Sequence, residues 1–311
     1  MKVLNLCYDD YANYMHDNAL ALRSVGVECE SLKIVQHPFG YDEQAYVATH
    51  DEMIEAIADA DLVQFVHSDI GFARHFMTYL KNKKCVVYHT GSRYRATPEE
   101  YNRFFNTFVD ATFTDQCEFM SLGAKNLHYA AVAINTEAYK NYRFRQEVGN
   151  PYIIAHYPSN PEVKGSEQIN EMMSRVILPF DNTMFLSDPS KFSHAMNMKR
   201  VSACDIYIEL FKPVLNGKPY GCYGVSAFEA AACGKVVVTQ NLNKDVYLHA
   251  YGSMPFLIAN TEADFIQIVS GLIRMEPIQI SRLQTETYNW LQEKHSYKAS
   301  GNYIANILHK L

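Results

Sequence analysis

Residues 220–241 read Tyr-Gly-Cys-Tyr-Gly-Val-Ser-Ala-Phe-Glu-Ala-Ala-Ala-Cys-Gly-Lys-Val-Val-Val-Thr-Gln-Asn. Gly221 and Gly224 free the backbone on either side of Tyr223. The Ala-rich run from Val225 to Cys233 predicts a helix, Gly234 suits the left-handed position that ends it, and Val236 to Val238 predict a buried strand. A glycine-rich turn feeding a helix offers unpaired N–H groups and the positive end of a dipole to an anion, so the stretch reads as a phosphate-binding turn. One carboxylate, Glu229, lies early in that helix. An acid is poorly matched to phosphate but well matched to sugar hydroxyls, and the ribose of a nucleotide is the candidate partner.

The same alternation of strand and helix fills the rest of the chain. Lys2 to Cys7, Cys29 to Val35, Leu62 to Val66, Cys85 to Tyr88, Ala111 to Thr114 and Asn126 to Ala131 predict strands; Asn13 to Val25, Asp51 to Ala60, Gly71 to Asn82 and Pro98 to Phe108 predict helices between them. Around Asn141 to Pro151 the sequence turns polar, which marks the expected hinge. A second series then starts, with strands over Tyr152 to His156, Thr183 to Leu186 and Asp205 to Leu210, and helices over Ser166 to Val176 and Ser193 to Cys204. Thr261 to Met275, Ser281 to Lys294 and Ala299 to Leu311 predict closing helices. The expectation is two doubly wound α/β domains, 1–145 and 146–295, with an end helix in 296–311 packed back on the first. Ligands of such sheets bind beyond the carboxyl ends of the strands, so the cleft between the domains is the expected site.

Bulk composition agrees with a globular chain: 48% of its 311 residues are hydrophobic, enough for well-formed cores. No apolar run approaches the roughly eighteen residues a membrane span needs, and Asp9 and Asp10 follow the first short strand at once, unlike a signal peptide. Seven cysteines, scattered without metal-ligand spacing, read as reduced core residues of a cytoplasmic protein. A formal charge of −6 argues against a general basic face for nucleic acid. The chain also lacks a Gly-x-Gly-x-x-Gly after its first strand and a Walker-type Gly-Lys-Ser/Thr, which disfavours dehydrogenase and P-loop chemistry.

The second half carries a family resemblance. Tyr157-Pro158-Ser159 with Lys164-Gly165-Ser166, His194 in the run to Ala203-Cys204-Asp205-Ile206, and Tyr223-Gly224-Val225 with Phe228-Glu229-Ala230 and Gly234-Lys235-Val236-Val237 resemble the donor domain of family-4-type glycosyltransferases. The resemblance covers roughly residues 150–275 with its motifs in order, while the first half matches in layout. It implies the GT-B fold, two Rossmann-like domains with an interdomain cleft, and transfer of a sugar from a nucleotide diphosphate to an acceptor hydroxyl with retention of configuration. It also implies that no metal or other cofactor is needed beyond the donor itself. By the same resemblance Glu229 holds the ribose, Lys164 contacts the diphosphate, Ser159 and Gly165 line the donor loop, and the backbone of Tyr223, Gly224, Val225 and Ser226 cradles the distal phosphate and sugar. Two departures stand out. Many members carry a Glu where this chain has Gly221 and an Arg where it has Ser159; Glu209, at the end of the preceding strand, is expected to stand in for part of that missing charge.

In the first half the candidates lie at strand ends. Asp10 and Asn13 follow the first strand, His67 the third, and His89-Thr90-Gly91-Ser92-Arg93-Tyr94-Arg95 the fourth. Gly91, Ser92, Arg93 and Arg95 read as an anion-friendly turn for phosphate or acceptor. His67 or His89 has a suitable ordinary pKa to assist departure of the acceptor proton. Asp9 and Asp10 point to opposite sides of a strand end and do not read as a metal site. His194 reads as a structural residue that caps or packs its helix. Three rival readings remain: a phage-type glycosyltransferase acting on hydroxylated DNA bases through a groove of Arg93, Arg95, Lys81, Lys83 and Lys84, a nucleotide-sugar epimerase, and a non-catalytic nucleotide-sugar-binding relative. The acceptor, whether glycan, small molecule, protein or modified DNA, depends on first-domain loops such as Gln36 to Thr49.

Overall fold

A computed structural model describes residues 1–142 and 147–311. The chain divides into two compact units, Met1–Asn135 with His295–Leu311, and Thr136–Lys294. The junction expected at 145/146 lies outside the described residues.

The first unit is built on a seven-stranded parallel sheet. Its strands are β1 (Lys2–Asp9), β2 (Glu28–Val35), β3 (Tyr46–Val47), β4 (Leu62–Val66), β5 (Lys84–His89), β6 (Ala111–Thr114) and β7 (Leu127–Tyr129), in the spatial order β3-β2-β1-β4-β5-β6-β7. The central strands are apolar runs buried along their length, as in β4 and residues 3–7 of β1, because helices cover both faces. Those helices are α1 (Tyr14–Ser24), α2 (His50–Asp59), α3 (Ile70–Phe76), α4 (Gly91–Ala96) and α5 (Pro98–Phe105). Residues such as Met53, Ile57, Phe65, Phe72, Phe76 and Phe105 fill one core between them. Thr49 starts α2 with a full capping box, its hydroxyl accepting from Glu52 N while the Glu52 carboxylate accepts from Thr49 N.

Three expectations need correction here. The helix expected over Gly71 to Asn82 stops at Phe76 and continues as a short 3-10 turn over Met77–Tyr79. The turn expected over His89 to Arg95 is mostly helix α4, because Tyr94 buries completely and anchors it. That helix ends where Pro98 bars the α conformation at Thr97, which sits at φ −138°, and Pro98 then opens α5. Finally, β3 falls inside the expected loop; two residues long and exposed on both faces, it leaves no periodic signal.

The second unit holds a five-stranded parallel sheet of β8 (Tyr152–His156), β9 (Thr183–Ser187), β10 (Ile206–Ile208), β13 (Val236–Thr239) and β14 (Leu257–Ile258), ordered β14-β13-β10-β8-β9. Between β10 and β13 lies a hairpin, β11 (Val214–Leu215) and β12 (Lys218–Pro219). Its tip is Asn216-Gly217 with both φ values positive, the geometry that suits a two-residue hairpin turn. Helices α6 (Pro161–Lys164), α7 (Ser166–Ile177), α8 (His194–Ser202), α9 (Val225–Ala232), α10 (Lys244–Tyr251), α11 (Glu262–Ile273) and α12 (Pro277–His295) complete the element order of this half. Ile154, Ile169, Met173, Ile208, Val238, Phe265 and Val269 lie at the centre of its core.

The last helix, α13 (Tyr297–Leu308), packs on α1 in the first unit. Gly301 makes this approach possible, since a Cβ there would lie 2.1 Å from the Ala21 carbonyl oxygen. Tyr297 donates to Asp17 at 2.7 Å and Tyr303 to the Tyr129 carbonyl at 2.9 Å. Among the described residues no helix is long and apolar enough to cross a membrane.

Candidate functional site

In the second sheet the chain order reverses between β8 and β10, so the loops after those two strands diverge and leave a crevice at their carboxyl ends. Three loops close in on this point. The first runs from β8 into α6 and ends at Lys164 and Gly165. Gly165 takes a left-handed φ of +71°, and a Cβ on it would lie 1.8 Å from the Phe211 carbonyl oxygen, so glycine lets this loop press against the one after β10. The Phe211 N–H donates to the Lys164 carbonyl at 3.2 Å and holds the two loops in register. His156 braces the same junction from below. It is wholly buried, donates through Nδ1 to the Ile208 carbonyl at 2.9 Å and accepts at Nε2 from Ser166 at 2.8 Å, and burial depresses its pKa to about 4.

At the crevice the Lys164 ammonium forms an ion pair with the buried Glu209 carboxylate. Glu209 Oε2 accepts from Thr239 Oγ1 at 2.6 Å, and Ser226 Oγ reaches Oε1 at 3.4 Å. Burial works against the lysine's charge, but the Glu209 carboxylate and neighbouring Tyr220 outweigh it, so Lys164 titrates above its ordinary value. The third loop supplies Gly224, where a Cβ would stand 2.5 Å from Glu209 Oε1 and 2.6 Å from Lys164 Nζ. The glycine therefore makes room for the ion pair at the start of α9. Beyond it Val225 and Ser226, both half-buried, form the first turn of that helix, whose leading N–H groups have no partner within the helix.

Gly221 stands where a side chain has no room. Its φ is +142°, and a Cβ would fall 2.9 Å from Gln240 Cγ and Cδ. Gln240 occupies that space because it holds the loop, accepting from Lys212 N at 2.7 Å and donating to the Tyr220 carbonyl at 3.1 Å. Glu209 is not an exposed replacement. Its side chain is fully buried, so the expectation of direct donor contact is corrected: it sits behind Lys164, which retains 16% exposure. Tyr223 likewise buries its ring against Phe228, Tyr247 and Phe256 and offers only backbone to the crevice. Ser159 is exposed in the first loop.

Glu229, one turn further along α9, accepts at Oε1 from His194 Nε2 at 2.7 Å and from the Tyr139 hydroxyl at 3.1 Å. His194, expected to cap or pack its helix, here also contacts a carboxylate, and Tyr139 carries no signal in the sequence. Standing 35 and 90 positions from Glu229, neither has a spacing that could reveal the contact.

The first sheet has its own reversal, between β1 and β4. Four non-glycine residues at their carboxyl ends hold positive φ: Ala12 and Asn13 at 57° after β1, His67 at 63° and Ser68 at 35° after β4. Left-handed backbone at such residues costs of order 1 kcal/mol each, and it persists where the surrounding structure enforces it. Here Asp10 does so. Its carboxylate accepts from Met15 N at 2.7 Å, His16 N at 3.1 Å and His67 Nε2 at 3.3 Å. Since a carboxylate only accepts, Nε2 carries the proton, and His67 Nδ1 accepts from Thr90 Oγ1 at 2.6 Å. Tyr11 and Tyr14 pack against the imidazole at 5.4 and 5.9 Å. Asp115, at the end of β6, is a further acid of this neighbourhood, and burial raises its pKa to about 6. It follows a strand as Asp10 does, so the strand-end rule applied to β6 would have found it.

Several candidates from this half take other roles. Asp10 is 1% exposed and fully engaged in holding α1 and His67, so it is not a ligand contact. Asn13 donates to the Glu43 carbonyl at 3.1 Å. His89 is wholly buried and stacks on Tyr94 at 3.9 Å; burial lowers its pKa to about 3, which removes it as a proton acceptor for a substrate. Arg93 pairs with Asp69 and Arg95 with Glu118, so the arginines do not form an anion-binding turn with the exposed Gly91 and Ser92. Among the described residues no group of three or more His, Cys, Asp or Glu is gathered as for a metal ion.

Two parallel sheets flanked by helices, each with a strand-order reversal, are the two Rossmann-like domains of the GT-B fold. Solved structures agree on that fold. The chain is similar to HepE of Anabaena in complex with UDP-glucose (12% identity, TM-score 0.68, all of both chains). It is also similar to an alpha-glucosyltransferase in complex with UDP and a 13-mer DNA containing a central A:G mismatch (10% identity, TM-score 0.68, 99% of this chain and 100% of that one). A third is the sucrose-phosphate synthase of Thermosynechococcus elongatus (10% identity, TM-score 0.63, 100% of this chain and 99% of that one). No family model and no curated protein matches the sequence.

Proposed function

We propose that this chain is a glycosyltransferase that moves a sugar from a nucleoside diphosphate donor to an acceptor hydroxyl with retention of configuration. The observation that carries this reading is the Lys164–Glu209 pair at the reversal point of the second sheet, beside the first turn of α9 and one turn from Glu229. In this reading the diphosphate lies against the leading N–H groups of α9 and the Lys164 ammonium, while the ribose hydroxyls donate to Glu229. When the bond from the anomeric carbon to the diphosphate breaks, its electron pair stays on the departing phosphate oxygen. A cation and fixed dipoles lower the barrier to that charge. The acceptor oxygen bonds to the anomeric carbon, and its proton passes to the leaving phosphate. His67 has both ring nitrogens committed, to Asp10 and Thr90, so in this reading it braces the carboxyl ends of β1 and β4 and takes no proton from the acceptor.

HepE and the alpha-glucosyltransferase were solved with UDP or UDP-glucose, which makes a UDP sugar the first donor to try. A DNA acceptor, by contrast, finds no support in the expected basic groove, where Arg93 and Arg95 are paired with acids and Lys83 is committed to the Ala58 and Ala60 carbonyls. The test is a thermal-shift screen with UDP, GDP, ADP and dTDP and their sugars, followed by product analysis with and without acceptors. No nucleotide-dependent shift would overturn the reading, and a changed sugar nucleotide formed without any acceptor would replace it with epimerisation. Glu229→Ala is expected to weaken nucleotide affinity at least about tenfold by calorimetry, since it removes hydrogen bonds to a charged acceptor.

A further inference from the structure

We infer that His194 and Tyr139 form a clamp that holds one oxygen of Glu229, so that the other is presented to the ribose of a nucleoside diphosphate; the inference rests on the donor reading above. Both donors converge on Oε1, at 2.7 Å from His194 Nε2 and 3.1 Å from the Tyr139 hydroxyl, and the two donors are themselves 3.2 Å apart. Oε2 takes part in neither bond. The Glu229 side chain keeps 12% exposure, so an edge of the carboxylate reaches the surface.

The three residues come from three elements: α9, the first residue of α8, and the 3-10 turn Ala138–Tyr142. The rings of Tyr139 and His194 stand edge to face at 89°, which fixes their approach to the carboxylate. A glutamate on a helix surface has freely turning side-chain bonds and loses that freedom when it binds. Held at one oxygen beforehand, it meets the vicinal hydroxyls with the loss already met, which is preorganisation. His194 and Tyr139 are therefore positioning residues for ribose recognition. The clamp favours nucleotides with an intact ribose.

Calorimetric titration of the full chain with UDP, ADP and GDP, and with the 2′,3′-dideoxy form of whichever binds, tests this. The native protein is expected to prefer the ribose form by about tenfold or more. His194→Ala should shrink that preference to about twofold while leaving affinity for the dideoxy form nearly unchanged, and Tyr139→Phe should fall between. His194→Gln restores an N–H donor and should recover part of the preference. Should the alanine variant fail to fold, Tyr139→Phe and His194→Gln carry the test, since both keep side-chain bulk. An undiminished ribose preference in the variants, or affinity for both forms falling in parallel as a merely structural role predicts, would overturn the clamp. Equal affinity of the native protein for both forms overturns it at Glu229 itself. Failure of every nucleotide to bind the native chain overturns the donor reading, and the clamp with it.

Discussion

His89 shows how burial decides what a residue can do. Stacked on Tyr94 with neither ring nitrogen finding a hydrogen-bond partner among the described residues, it stays neutral in the fold, with its pKa depressed by burial to about 3. Above the ordinary histidine pKa the folded and unfolded chains both hold a neutral ring, and the group has no effect on pH dependence. As the pH falls below it, the unfolded chain takes up a proton that the folded one refuses, so stability drains away toward pH 3. At about 1.4 kcal/mol per unit, His89 should cost roughly 3 kcal/mol at pH 4. His89→Phe should erase that share of the loss between pH 7 and pH 4 in urea unfolding and leave turnover intact; equal acid sensitivity in the variant refutes the assignment. Lys164 and Glu209 make the complementary case. Lys164→Met strands a buried carboxylate and is expected to cost about 3 kcal/mol. The double variant Lys164→Met with Glu209→Gln should cost clearly less than the sum of the two single changes, and additive losses in denaturant titrations would show the pair to be uncoupled.

Among the elements, the loops that meet at the second crevice are set by glycines whose missing Cβ is filled by a neighbour. Gly165→Ala combines a left-handed φ with a Cβ 1.8 Å from the Phe211 carbonyl oxygen. It should lower unfolding stability by about 2–4 kcal/mol, and a variant within error of native stability would mean that the loops are free to part. The elements themselves differ in how plainly the sequence announces them. Val63, Phe65 and Val66 in β4, or Ile154 and Ala155 in β8, lie in runs that only a strand covered on both sides can bury, and such strands were legible to within a residue or two. The Asn216-Gly217 hairpin was legible in principle from its dipeptide. Helix α4 was not, because its cause is a long-range contact of Tyr94, and β3 was not, because two exposed residues have no period. The site divides likewise. Glu229, Lys164 and the absence of a carboxylate at Gly221 stand out locally, whereas Gln240 behind Gly221, the His194–Tyr139 contact and the sealing of His89 exist only once distant segments meet.

At the scale of the whole molecule, the first unit is discontinuous: α13 belongs with residues 1–135, and Ile134 N donates to the His295 carbonyl at 2.8 Å where the two segments join. Residues 1–135 alone would leave the Ala21 face of α1 bare. They should therefore give a loosely packed species, while the same residues joined by a short linker to 295–311 should unfold cooperatively. Circular dichroism and thermal melting distinguish the two, and a cooperative melt of 1–135 by itself would show that α13 is dispensable. Domains commonly fold in the order in which they leave the ribosome. If the opening sheet waits for α13, translated near residue 300, that order should invert for this chain, with the later-made unit the first able to finish.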